Sequence, residues 1–122
     1  MNGLSKAYVM AMEKIESEIE EAIKADGQKK VCVHYAAFDF DEWDIPINNL
    51  KEIPLKGNVK LYAYAENGSG LYESDVMENP TWLDICVATN RMISETKTGD
   101  QYLEGLKVYK KDDLYYAELE MR

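Results

Sequence analysis

Val59-Lys60-Leu61-Tyr62-Ala63-Tyr64-Ala65 alternates small or branched apolar residues with polar or aromatic ones at every step. A period of two places Val59, Leu61, Ala63 and Ala65 on one face of an extended strand and Lys60, Tyr62, Tyr64 and Glu66 on the other. The run ends at Asn67-Gly68-Ser69-Gly70, a turn sequence, and Leu71 to Met77 returns as its partner, so this region reads as a β-hairpin.

Upstream, Lys30 to Ala36 is rich in β-formers and reads as an internal strand. Phe38 to Lys56 is less regular, with Pro46, Pro54 and Asn48-Asn49, and reads as an edge strand running into a loop. Before these the period changes. Leu4, Tyr8, Met12, Ile15, Ile19, Ala22 and Ile23 recur at steps of three and four, an amphipathic helix that leaves Glu13, Lys14, Glu16, Glu18, Glu20 and Glu21 mostly on the far side. Gly27 supplies its left-handed stop. The apolar seam of this helix suits packing on a sheet within one subunit, or contact with a second copy.

Downstream, Asn79-Pro80 signals a helix start, with Asn79 as cap and Pro80 in the first helical position. Trp82, Leu83, Ile85, Cys86, Val87, Ala88, Met92 and Ile93 then cover nearly all sides of the helix, which predicts burial. It frays near Thr98-Gly99. Gln101 to Lys110 and Leu114 to Met121 form a closing hairpin around Lys111-Asp112-Asp113. The order is α-β-β-β-β-α-β-β. Strands arriving in runs predict the α+β class, an antiparallel β-sheet packed on two α-helices, and residues 1–122 form a single domain.

Composition narrows the function. The chain has 122 residues and a net charge of -9, and only Arg91 and Arg122 among its 14 cations are arginine. Arginine is the preferred fork for phosphate and guanine, so duplex nucleic acid is not an expected partner, although mimicry of DNA charge is an open alternative. No apolar run reaches the roughly 18 residues a membrane span requires, and the N-terminus lacks a signal-peptide pattern. Cys32 and Cys86 lie in apolar runs without metal or redox spacing, which reads as buried thiols in a reducing cytoplasm.

Catalytic chemistry is thinly supplied. The one histidine, His34, lies mid-strand, and no phosphate loop or nucleophile elbow is present. Neither a metal nor another cofactor is expected. The cluster Asp39, Asp41, Glu42 and Asp44 flanks Phe40 and Trp43 without EF-hand spacing and reads as a solvated edge. Nine tyrosines suit half-buried sheet packing, and also interfaces or base stacking. Thr89-Asn90-Arg91 breaks the apolar surface of the second helix. It reads either as Arg91 paired with a carboxylate or as a ligand pocket containing Asn90 or Arg91. The helix start at Asn79 offers free backbone N–H groups to phosphate.

Asn79-Pro80-Thr81-Trp82-Leu83, Asn90, Thr98-Gly99-Asp100 and Leu103-Glu104-Gly105 together resemble a block in the phage anti-Thoeris sponge family, first type. The block covers roughly residues 79 to 106. The resemblance implies a phage protein of the bacterial host cytoplasm, a homodimer or higher homo-oligomer. It would sequester a cyclic ADP-ribose isomer made by a TIR NADase without degrading it. It further implies Trp82 beside the adenine, Asn90 hydrogen-bonded to the ligand, and Lys24 and Lys107 facing its phosphates. The shortage of arginine departs from what a pyrophosphate favours. Apart from the resemblance, the acidic residues support an inhibitor that binds a macromolecule. A carboxylate-dependent enzyme on nucleotides and a structural accessory protein are further readings.

Overall fold

The computed structural model describes residues 6–47, 49–64, 71–96 and 101–122. Helix α1 (Lys6–Ala25) leads to strands β1 (Val33–Tyr35), β2 (Asp39–Phe40), β3 (Pro46–Ile47), β4 (Asn58–Tyr64), β5 (Leu71–Glu73) and β6 (Met77–Glu78). Helix α2 (Trp82–Thr96) then precedes β7 (Gln101–Lys111) and β8 (Leu114–Met121). The α+β class and the order of helices and strands are those expected. Leu4, the Asn67–Gly70 turn and the Thr98-Gly99 helix end lie outside the described residues.

The main sheet runs β1-β7-β8-β4-β5, with β6 also paired to β4. The β4–β5 and β7–β8 hairpins are antiparallel as read, but β1 pairs with β7 and β4 with β8 in parallel. The sheet is therefore mixed, where an antiparallel one was expected. Parallel pairs need a long crossover between the strands, here containing α2, and leave no local turn signal. The β2–β3 ribbon stands apart as a second small sheet.

Alternation on β4 holds at Val59 and Leu61, while Ala63 is half-buried and Ala65 and Glu66 lie outside the described residues. Val59 and Leu61 are buried, as are Leu103 on β7 and Ala117 and Leu119 on β8. They form one core with Ile15, Ile19 and Ile23 of α1 and Ile85, Cys86 and Ile93 of α2. The seam of α1 is thus used inside the protomer. The opposite face of the sheet shows Tyr64 and Tyr109 to solvent. No helix among the described residues is long and apolar enough to cross a membrane.

Helix α1 ends as its glycine predicts. Gly27 has φ 87°, its N–H donates to Lys24 O at 3.0 Å, and Gln28 N–H donates to Ile23 O at 3.2 Å. These two bonds satisfy carbonyls that the last turn leaves open. An added Cβ at Gly27 meets nothing within 4 Å, so Gly27→Ala costs only left-handed strain. We expect a loss of about 1 kcal/mol, read as a lower urea midpoint with an unchanged slope.

The start of α2 differs from expectation. Thr81, rather than Asn79, is the cap: its Oγ1 accepts from Asp84 N–H at 3.1 Å, and Asp84 Oδ2 accepts from Thr81 N–H at 3.0 Å. This reciprocal pair outcompetes Asn79 because the asparagine is occupied elsewhere. Asn79 has φ 47°, and its Oδ1 accepts from Gly57 N–H at 2.7 Å. Pro80 precedes the cap and is buried.

Candidate functional site

The residue that broke the apolar pattern of α2 is fully enclosed. Asn90 is 0% exposed. Its Oδ1 accepts from Cys32 N–H at 2.6 Å and Val33 N–H at 3.0 Å; its Nδ2 donates to Lys30 O at 2.8 Å and Gln28 Oε1 at 2.9 Å. Every polar valence of the amide side chain is used in holding the segment that enters β1 against α2.

Arg91, one residue on, points outward and pairs with Asp26 beyond the end of α1. The Asp26 carboxyl is held below its ordinary range, chiefly by the Gln28 amide that donates to it and further by the guanidinium. The pairing of Arg91 with a carboxylate is thus present. Lys24 pairs with Glu20 at 2.7 Å along the exposed side of α1. The Trp82 ring lies 5.9 Å from that of Tyr35, at the edge of a 460 Å³ cleft that also contains Phe38, Glu52, Leu106 and Val108. Lys107 sits on β7 across from Glu118, on the sheet face away from the helices. The six residues singled out from sequence are therefore dispersed: Asn90 inside, Asn79 tied to Gly57, Lys107 behind the sheet, and only Arg91 in the main groove.

That groove, of 990 Å³, lies between the end of α1, the exposed side of α2 and residues 73–80. Leu83, Val87, Ala88 and Met77 give it an apolar floor. Asp26, Glu73, Asp75, Glu78, Asp84 and Glu95 also line it. Arg91 is the one cation among its described lining residues, and it already pairs with Asp26. Glu73 also has a cation, Lys60, at 3.0 Å, so the groove's excess charge comes from Asp75, Glu78, Asp84 and Glu95; beside low-dielectric walls these four focus a negative potential that attracts cations and repels phosphate. Sequence reasoning missed this because the acids come from separate segments and form no run. The available signal was the -9 balance together with Leu83 and Val87 spaced four apart beside Asp84 and Glu95.

The other chemical groups have structural explanations. Asp41 Oδ1 accepts from Trp43 N–H at 2.8 Å and Ile45 N–H at 3.0 Å, so the acidic cluster turns the β2–β3 ribbon. No group of three or more His, Cys, Asp or Glu among the described residues is placed to hold a metal. Both cysteines are free and buried. Burial pushes the Cys86 thiol well up, away from the thiolate a nucleophile requires. On the open sheet face Tyr62 contacts Tyr64 and Tyr109, and Tyr109 stacks on Tyr116 at 5.4 Å. Desolvation, then the Tyr109 hydroxyl, pushes the Tyr62 hydroxyl up to about 12. His34 stacks on Tyr102 at 4.9 Å, and Arg122 lies over the same Tyr102 ring.

No protein-family model matches this sequence, and no curated protein or solved structure matches it.

Proposed function

We infer that this protein acts by binding, and that the groove between α1 and α2 receives a cationic, partly apolar segment of another protein. One observation carries the reading: six carboxylates surround an apolar floor, and only two of them, Asp26 and Glu73, are paired with a cation, Arg91 and Lys60. A basic amphipathic helix has the complementary pattern, with apolar side chains for Leu83, Val87 and Ala88 and lysines or arginines for the rim. Docking there would mask the basic surface of its partner, the action of an acidic inhibitor. The two buried thiols suit a reducing compartment such as the cytoplasm.

The test is calorimetric titration of the full chain with a Lys- and Leu-rich amphipathic peptide at about 0.1 M and about 0.5 M salt. Affinity falls at the higher salt. Each exposed charge pair is worth up to about 1 kcal/mol, so Glu78→Gln with Glu95→Gln weakens binding about tenfold. Binding that ignores both salt and these substitutions, or no binding, overturns the reading.

A second reading is the phage sponge that holds a cyclic ADP-ribose isomer intact. One observation favours it: Arg122 over Tyr102, itself stacked on His34, sets a cation beside an aromatic plane on the sheet face that also carries Lys107. The nucleotide would lie on that face, outside the anionic groove. Titration with the cyclic nucleotide and mass spectrometry of what denaturation releases separates the two readings. Unchanged ligand supports the sponge; heat from the peptide alone supports the inhibitor.

A further inference from the structure

Strand β7 is eleven residues long, yet β1 covers its outer edge only at Gln101, Tyr102 and Leu103. From Gly105 to Lys111, no strand among the described residues pairs with β7 on the side opposite β8. The two-residue turn Asp112-Asp113 makes Lys111 and Leu114 a bonded pair, and antiparallel pairs alternate. By this alternation Leu106, Val108 and Lys110 direct their N–H and C=O groups to the open edge. The mutual bonds of Tyr102 with Arg122, and Ala36 N–H donating to Leu103 O at 2.9 Å, agree with the same alternation on either side of the bulge. A row of backbone groups without a strand partner is a template for another extended strand.

Charge selects which strand. One end of the open edge is acidic, where Glu52, Glu104 and Glu120 share the cleft beside Leu106. Toward the other end Lys107, Lys110 and Lys111 are all exposed and basic, before the turn acids Asp112 and Asp113. A two-fold axis through Val108 sets each Val108 against its mate and Leu106 opposite the partner's Lys110. Each basic end then meets an acidic end, twice over. The Val108 register also brings matched backbone donors and acceptors together, and the partner's β7 ends with its Lys111 opposite Gly105, short of the stretch Gln101 to Leu103 that β1 covers. We propose that two copies of this chain join through antiparallel pairing of their β7 strands about Val108, forming one continuous sheet across the dimer. This interface is independent of the α1–α2 groove and leaves it open.

Light scattering on the full chain at about 100 µM gives twice the 14.0 kDa protomer mass, with the dimer dissociating on dilution. Amide exchange at Leu106, Val108 and Lys110 slows about tenfold at the higher concentration, because these N–H groups face solvent in the protomer. Lys110→Glu abolishes the dimer by setting like charges face to face, and Lys110→Glu with Glu52→Lys restores it. Both variants keep the circular dichroism of the parent and its peptide binding in the groove. A protomer mass at every concentration overturns the proposal. So does a dimer that survives Lys110→Glu or leaves the three amides unprotected. Loss of peptide binding alone counts against the groove and leaves the dimer standing.

Discussion

Replacing Asn90 by alanine lowers the free energy of unfolding by about 4 kcal/mol, because each buried polar group left unmet costs about 1–3 kcal/mol. The substitution strips partners from the buried N–H groups of Cys32 and Val33 and from the part-buried carbonyl of Lys30. A typical domain has about 5–15 kcal/mol in total, so the variant stands near the threshold of folding. Urea denaturation measures the change, and a loss below about 1 kcal/mol would show that the clamp is dispensable. Asn90→Asp preserves the shape but turns a carboxylate oxygen toward Lys30 O. Its deficit shrinks as pH falls and the carboxyl takes up a proton. Ligand binding by the folded fraction stays unchanged in both variants, since Asn90 reaches no groove.

Leu61→Ala costs about 2–5 kcal/mol, the range for a buried leucine whose cavity closes only in part. Leu61 is 0% exposed, on a strand flanked by β8 and β5. Tyr62→Ala, one residue on and facing the other side, loses ring contacts with Tyr64 and Tyr109 and the hydroxyl interaction with Tyr109, and costs about 1 kcal/mol. The two unfolding curves, measured side by side, test whether one face of the sheet carries the core. Equal losses would mean that the tyrosine face is itself packed.

The hairpin strands were legible because alternation is a local property: Val59, Leu61 and Ala117 are buried where the period of two puts them. Ile15, Ile19 and Ile23 likewise follow from a period near 3.6. The parallel pairings were illegible, because Lys60 meets Tyr116 across more than fifty residues of chain and no short motif records it. The cap of α2 was misplaced by two residues for a similar reason. Asn79 has the right chemistry for a cap, but its oxygen is taken by Gly57, a contact visible only in three dimensions.

The functional residues show the same divide. Asn90 was conspicuous as a polar break in an apolar helix, and its burial among partners follows from the cost of leaving an amide unmet. Whether those partners were backbone or ligand depended on where residues 28–33 run, which periodicity does not encode. Arg91 did find a carboxylate, Asp26. The acidic groove stayed hidden because Glu73, Glu78 and Glu95 belong to different elements and converge only on folding.

Strand β8 is last in sequence yet lies third in the sheet, between β7 and β4. While a ribosome is still making residues 1–96, β4 pairs only with β5 and β6, β1 has no strand of the main sheet to join, and the apolar faces of α1 and α2 lack most of their floor. The sheet is complete only once the β7–β8 hairpin is present, because it alone links β1 to β4. A nascent chain of this kind depends on whatever shelters it until then, and a premature stop before Leu114 leaves two unconnected fragments of sheet that no downstream repair can join.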